Sequence, residues 1–409
     1  MKEKVIVYRS VSVDKTYHNW FRCIALLALV ICLEAMFVLL VSAYLYTNNS
    51  HRRESRHRAT GGSDSKSPED FLQEIKLKCL SKSNSTKIFP DSSNPASRTC
   101  ACIPQNFSGW RPIMETDEHP EIGELEIKHK ELFPGGAWYP QNCTARHQVA
   151  IIIPFRDRES HLRALLHVLH PILQKQNLHY RIFVIEQAAP VVFNKAAMMN
   201  IGFKEAKRLD CYDCFIFHDV DMLPEDDRNM YICDDNPRHL GSYVDKFKYK
   251  VPYPELFGGA TAFTGDQFQK ANGYSNGFYG WGGEDDDMYN RVVAAGMNVV
   301  RPPQSVARYH MIKHQQDHGN PPNRHSYIAW KVRPEIYKVD GLNSLRYKLL
   351  MYEFRPLYTW IYAEIPDFNR VPAPSWKAQS KANSFYQRTL IILLPLYSTC
   401  WMVLSPVNF

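Results

Sequence analysis

This sequence predicts an α/β fold with a mostly parallel sheet, and three features carry that prediction. Apolar runs rich in β-formers occur at residues 149–154, 180–186 and 214–219. Helical patterns lie between them at 161–175 and 194–209. Strands that alternate with helices argue for parallel neighbours. The third run, Phe215-Ile216-Phe217-His218, leads straight into Asp219-Val220-Asp221. Ligands of open α/β sheets bind at the C-terminal ends of the strands.

Read in order, the 409 residues begin with a short polar tail, 1–22, expected to be cytoplasmic. Residues 23–46 are strongly apolar. At ~1.5 Å per residue they reach roughly 36 Å, enough to cross a bilayer. Glu34 is costly near mid-membrane, but the many Leu, Ile, Val and Phe offset it. A cleaved signal peptide and a buried helix are the alternatives. The run is long for the first and apolar on every side for the second, so the expectation is one uncleaved transmembrane anchor. Residues 47–101 are rich in Ser, Asn, Lys and Arg and read as a flexible stem. Residues 102–370 hold the strand and helix patterns. In the tail, 371–409, the stretch 390–404 is apolar but short and contains Pro395, which suits a packed or interfacial segment.

Basic residues lie on both sides of the apolar span, so charge does not orient it. Asn48, Asn84, Asn106 and Asn142 each open an Asn-x-Ser/Thr sequon, and all lie between the span and the first strand. That placement suits a lumenal stem. The ten cysteines agree with an oxidising compartment, buried free thiols being the alternative. The formal net charge of +7 sits largely near the N-terminus and in the tail. With no zinc finger, basic recognition helix or aromatic-basic stripe, no nucleic-acid partner is expected.

Two acidic motifs carry the chemistry. Alternation along a strand puts Asp219 and Asp221 on one side of the chain end, with Val220 turned away. Such a pair suits a hard divalent cation holding a diphosphate, although Asp-x-Asp also caps helices. The second motif is Trp281-Gly282-Gly283-Glu284-Asp285-Asp286-Asp287. Carboxylates favour a helix's first turn, and 288–293 looks helical. Trp281 also offers a flat face to a sugar ring, and a carboxylate beside it can accept a hydroxyl proton.

Together with residues 149–158, Phe193-Asn194-Lys195-Ala196, Phe257-Gly258-Gly259, Met311-Ile312-Lys313-His314 and Asp340-Gly341-Leu342-Asn343-Ser344-Leu345, these motifs resemble the β-1,4-galactosyltransferase family over about 102–365. The resemblance implies a Golgi type II membrane glycosyltransferase of the GT-A type that uses a uridine diphosphate sugar, Mn²⁺ and a glycan acceptor ending in N-acetylglucosamine. It implies Asp221, Met311 and His314 as metal ligands. It assigns the donor to Pro154, Phe155, Arg156, Asp157, Arg158, Phe193, Asn194, Lys195, Asp219, Val220, Asp221, Leu256 and Trp281. Lys195 stands where Arg is usual.

Asp285 is implied as general base for an inverting transfer. Tyr253, Gly283, Glu284, Asp285, Asp286, Arg324, His325 and Ile328 fall where the family holds the acceptor. His325 replaces a usual Phe. Two disulfides are implied, Cys214–Cys233 and Cys102–Cys143, with Cys100 competing for the second. Leu256 stands where galactose-using members carry Tyr and members accepting N-acetylgalactosamine carry Leu or Ile. The expectation is therefore N-acetylgalactosaminyl transfer, with galactosyl transfer as the alternative. A non-catalytic, membrane-anchored sugar-binding protein is the rival of another class.

Overall fold

The computed structural model describes residues 36, 66–83, 98–113, 120–313, 320–323 and 333–366. The chain divides into two units, 1–62 and 63–409, and everything below concerns the second. The expected span 23–46, Asn48, Asn84, His314, Arg324, His325, Ile328 and the tail from 367 lie outside the described residues, Met36 excepted. No helix among the described residues is long and apolar enough to cross a membrane.

Helices α1 (Pro68–Ser83) and α2 (Ile122–Lys128) precede β1 (Ala137–Trp138), β2 (Gln148–Phe155), α3 (Glu159–Lys175), β3 (His179–Gln187), α4 (Lys195–Leu209) and β4 (Cys214–His218). Next come β5 (Met222–Pro224), β6 (Arg238–His239), β7 (Tyr243–Val244), β8 (Ala260–Thr264), α5 (Gly265–Lys270) and α6 (Glu284–Ala294). The last are β9 (Arg308–Met311), α7 (Pro334–Tyr337), β10 (Lys348–Phe354) and β11 (Thr359–Glu364).

The main sheet has the order β10-β11-β3-β2-β4-β8-β6, with β1 also on β3. Period-2 alternation divides its strands between two cores. Val149, Ile151, Ile153, Tyr180, Ile182 and Ile216 join Leu162, Leu165, Leu166 and Leu169 of α3 on one face. Ala150, Ile152, Phe183, Ile185, Phe215 and Phe217 join Met198, Ile201 and Phe203 of α4 on the other.

The sheet is mixed rather than mostly parallel. Only β11, β3, β2 and β4 run parallel. The β4–β8, β8–β6, β11–β10 and β1–β3 pairs are antiparallel. Within the parallel core, β2, β3 and β4 are joined by strand–helix–strand crossovers through α3 and α4, while β11 arrives directly from its antiparallel partner β10. The flanking strands return without one and so run the other way.

Part of the expected stem is ordered. Residues 68–83 form α1, which starts where Ser67 Oγ accepts from Asp70 N at 3.1 Å and Pro68 needs no N–H partner. Phe71 is buried beneath the Arg238 guanidinium, 5.8 Å from its ring centroid. Lys78 pairs with Asp234 at 2.7 Å.

The cysteines also correct an expectation. Cys143 pairs with Cys100, not Cys102, and Cys102 pairs with Cys79 of α1. The reason is a short bridge between segments. Thr144 N donates to Arg98 O at 3.0 Å and Cys100 N to Thr144 O at 2.9 Å, which sets Cys100 opposite Cys143. Cys214 pairs with Cys233.

Candidate active site

Three loops leave the C-terminal ends of β2, β3 and β4 side by side. Within the first, Pro154 and Phe155 are buried, Arg156 and Arg158 are half-buried and Asp157 is exposed. Asp157 adopts a left-handed φ of 52°. Arg156 ties this loop to the second: its Nη1 donates to Val191 O at 2.7 Å, and its guanidinium lies 5.0 Å from the Phe193 ring centroid. Asn194 is fully buried. Its side chain accepts from Ala197 N at 2.8 Å, capping α4, and donates to Asn276 O at 2.9 Å. These bonds commit both ends of its amide to the scaffold.

The third loop carries Asp219, Val220 and Asp221, all half-buried. Asp219 N donates to Gly259 O at 2.7 Å. Behind it His218 is buried, with Nδ1 2.9 Å from Asp219 O and Nε2 3.0 Å from the Tyr231 hydroxyl. Burial holds this imidazole down to a pKa of about 4, so it stays neutral.

A small second sheet sets the metal candidates. β5 pairs with β9 so that Met222 faces Met311, and Ile312 N donates to Asp221 O at 2.9 Å. Asp245 braces β9 from behind, accepting from Met311 N at 3.0 Å and meeting His310 Nδ1 at 2.6 Å. Strand pairing thus brings Asp221 alongside Met311. Among the described residues, no three His, Cys, Asp or Glu side chains form a complete cage. The carboxylates present do suit a divalent cation, and Asp219 Oδ1 is buried with no hydrogen-bond partner.

The second acidic motif meets the first through one lysine. Lys195 Nζ lies 3.2 Å from Asp219 Oδ2 and 2.7 Å from Glu284 Oε1. Burial alone would lower the pKa of this amine, but Asp219, Glu284 and Asp285 hold it well above the ordinary lysine value. Gly283, at φ 93°, turns the chain into α6 in a conformation that favours glycine. Asp285 lies against Gly258: a Cβ built there would collide with its Oδ2. Any side chain at 258 would therefore displace that carboxylate. Burial, then Glu284, push the Asp285 carboxyl up to about 7 against the pull of Lys195. Asp219 rises to about 6, chiefly through burial. Glu284 Oε2 and Asp286 Oδ1 are buried with no hydrogen-bond partner among the described residues.

The four carboxylates do different work. Asp287 pairs with Arg291 at 2.6 Å, one helical turn on. Arg291 in turn donates to Asp340 O at 2.6 Å, so this carboxylate is scaffold. Asp286 hydrogen-bonds Tyr253, whose hydroxyl pKa is raised by burial and by Asp285 and Asp286. Trp281 is 68% exposed. Its backbone is held on both sides, Trp281 N to Pro321 O at 2.9 Å and Asn323 N to Trp281 O at 2.8 Å. Leu256 is half-buried, and its carbonyl accepts from Arg301 at 2.8 Å. The bracing roles of His218, Asp245 and Arg301 escaped the sequence reading. Asp245 and Arg301 are isolated polar residues whose partners are remote in the chain, and His218, although it adjoins Asp219, is braced by the Tyr231 hydroxyl thirteen residues on.

Two family models match this architecture, described as the N-terminal region of glycosyl transferase group 7, over 100–234, and the N-terminal domain of galactosyltransferase, over 238–315. Beta-1,4-galactosyltransferase 2 of Cricetulus griseus is 42% identical over 277 residues, covering 68% of this chain and 75% of that protein. The chain belongs to the β-1,4-galactosyltransferase family. Beta-1,4-galactosyltransferase 3 of the same species is 48% identical over 258 residues, 63% of this chain and 65% of that protein, so the match spans less than two thirds of that family member. The solved catalytic domain of Drosophila beta1,4galactosyltransferase 7 in complex with xylobiose is 28% identical to the aligned part of this chain. It covers 55% of this chain and 98% of its own, at a TM-score of 0.48.

Proposed function

We propose that this chain is an inverting β-1,4-glycosyltransferase that moves a galacto-configured sugar from a uridine diphosphate donor to a terminal N-acetylglucosamine of a glycan. The observation that carries the reading is the Lys195 bridge, which joins Asp219 and Glu284 in one buried acidic cleft. A sugar-binding protein without chemistry has no need of a carboxylate poised near neutrality beside such a cleft.

Asp285 takes the proton from the acceptor hydroxyl. The oxygen attacks the anomeric carbon on the face opposite the departing diphosphate, and an α-linked donor gives a β-linked product. Asp221, Met311 and His314 would hold Mn²⁺, which when bound supplies charge neutralisation for the leaving diphosphate. Residues 154–158, Phe193 and Lys195 seat the nucleotide. Trp281 offers the sugar its exposed ring. Glu284, Asp286 and Tyr253 bind acceptor hydroxyls, and Arg324, His325 and Ile328 the acetamide. The same reading places the enzyme in the Golgi membrane as a single-span type II protein with this unit lumenal.

Leu256 supports N-acetylgalactosamine as the transferred sugar, because an aliphatic side chain leaves room beside C2 of the donor. The relatives' name, beta-1,4-galactosyltransferase, supports galactose instead. Turnover with both donors on one N-acetylglucosamine acceptor separates the readings. Leu256→Tyr should shift the donor ratio toward galactose by roughly ten- to hundredfold, the scale of ~1–3 kcal/mol of overpacking. An unchanged ratio removes Leu256 from the donor pocket. Full turnover in excess chelator removes the metal.

A further inference from the structure

The edge of the sheet opposite the acidic cleft carries a second aromatic surface. Tyr139 follows β1 and is 42% exposed. Phe133 stacks flat on its ring, centroids 4.8 Å apart and planes within 5°. His179 meets the ring edge-on at 5.6 Å. Tyr139 also lines a cavity of about 620 Å³ with Gln141, Thr144, Arg146, His147 and His179, at the start of β2 and β3.

Asn142 lies three residues beyond Tyr139, is exposed, and opens the sequon Asn142-Cys143-Thr144. The bend between them is held at both ends. Gln141 Nε2 donates to Tyr139 O at 3.1 Å, and Cys143 is bonded to Cys100. We propose that the first N-acetylglucosamine attached to Asn142 seats on the Tyr139 ring and fills the mouth of this cavity.

The C–H face of a pyranose matches an aromatic face already backed by Phe133. The acetamide and hydroxyls of the sugar meet the polar lining of Gln141, Thr144 and His147. Covalent attachment next to the platform gives the sugar a high effective concentration there. Asn106 provides an internal contrast. It is also exposed, but Ile103 occupies the position three residues before it, and Ser108 of its sequon accepts from Lys175 at 2.6 Å.

The proposal rests on the lumenal placement above but not on donor or acceptor identity. Its test is a thermal double-mutant cycle on chain secreted from a host that N-glycosylates, with occupancy of Asn142 read by peptide mass. Asn142→Gln should lower Tm by roughly 2–4 °C, the scale of one aromatic contact in a domain of this size. In a Tyr139→Ala background the same substitution should have no further effect. Endoglycosidase trimming to a single N-acetylglucosamine should keep the wild-type Tm, and complete removal of the glycan should lower it. Asn106→Gln should behave alike in both backgrounds. Equal losses for Asn142→Gln with and without Tyr139, or an Asn142 without glycan in the wild type, would overturn the proposal.

Discussion

At the residue scale, Asp285 combines a function with a cost. Its carboxyl is pushed up to about 7 by burial and by Glu284. The free enzyme's kcat/KM should therefore rise with pH through about 7, since a base works only when unprotonated. Asp285→Asn should lower kcat by about 10²-fold or more. Near-normal turnover in that variant would move the role to Glu284. The same substitution should raise the Tm of enzyme free of donor and metal. The folded pKa lies above the ordinary carboxylate value, so ionisation penalises the fold fully above about pH 7. The penalty fades as pH falls toward about 4. The stabilisation should follow that course, and a pH-independent gain would show that charge is not its cause. Lys195→Met removes a cation that holds Asp285 down, so the acidic limb of the rate profile should move to higher pH. Lys195→Arg should restore it. An unmoved limb in Lys195→Met would mean that the amine does not act on the base.

At the element scale, α1 behaves as part of the folded unit that holds the acidic cleft. Its Phe71 is buried against Arg238, and Cys79 ties it to Cys102. Phe71→Ala should cost about 3–5 kcal/mol and lower Tm by roughly 6–20 °C while kcat stays within twofold. A matching loss of kcat would instead couple the helix to the cleft. Pattern hid this helix: polar residues are spread round it, and Leu77 and Leu80 are exposed rather than buried, so no broad apolar stripe marks it. Helices α3 and α4 were legible because each buries a broad apolar stripe against the sheet.

On the scale of the whole molecule, three disulfides join the described residues, and Asn106 and Asn142 are both exposed. This combination suits an oxidising, glycosylating lumen. Sealed Golgi vesicles should protect the unit from added protease, and detergent should abolish the protection. Digestion in intact vesicles would reverse the orientation.

The sequence by itself determined three of the four parallel strands, β2, β3 and β4, and the helices between them, because side-chain periodicity is a local property; β11 was not among them. It also showed both acidic motifs, because four adjoining carboxylates are conspicuous wherever they fold. Tertiary structure alone decided that the sheet is mixed, that Cys143 meets Cys100, and that Arg291 meets Asp340. It alone also placed Lys195 between Asp219 and Glu284, residues 65 positions apart in the chain. Each of these outcomes depends on which distant segments lie side by side, and the strength of an ion pair or the identity of a disulfide partner follows from that distance and its burial.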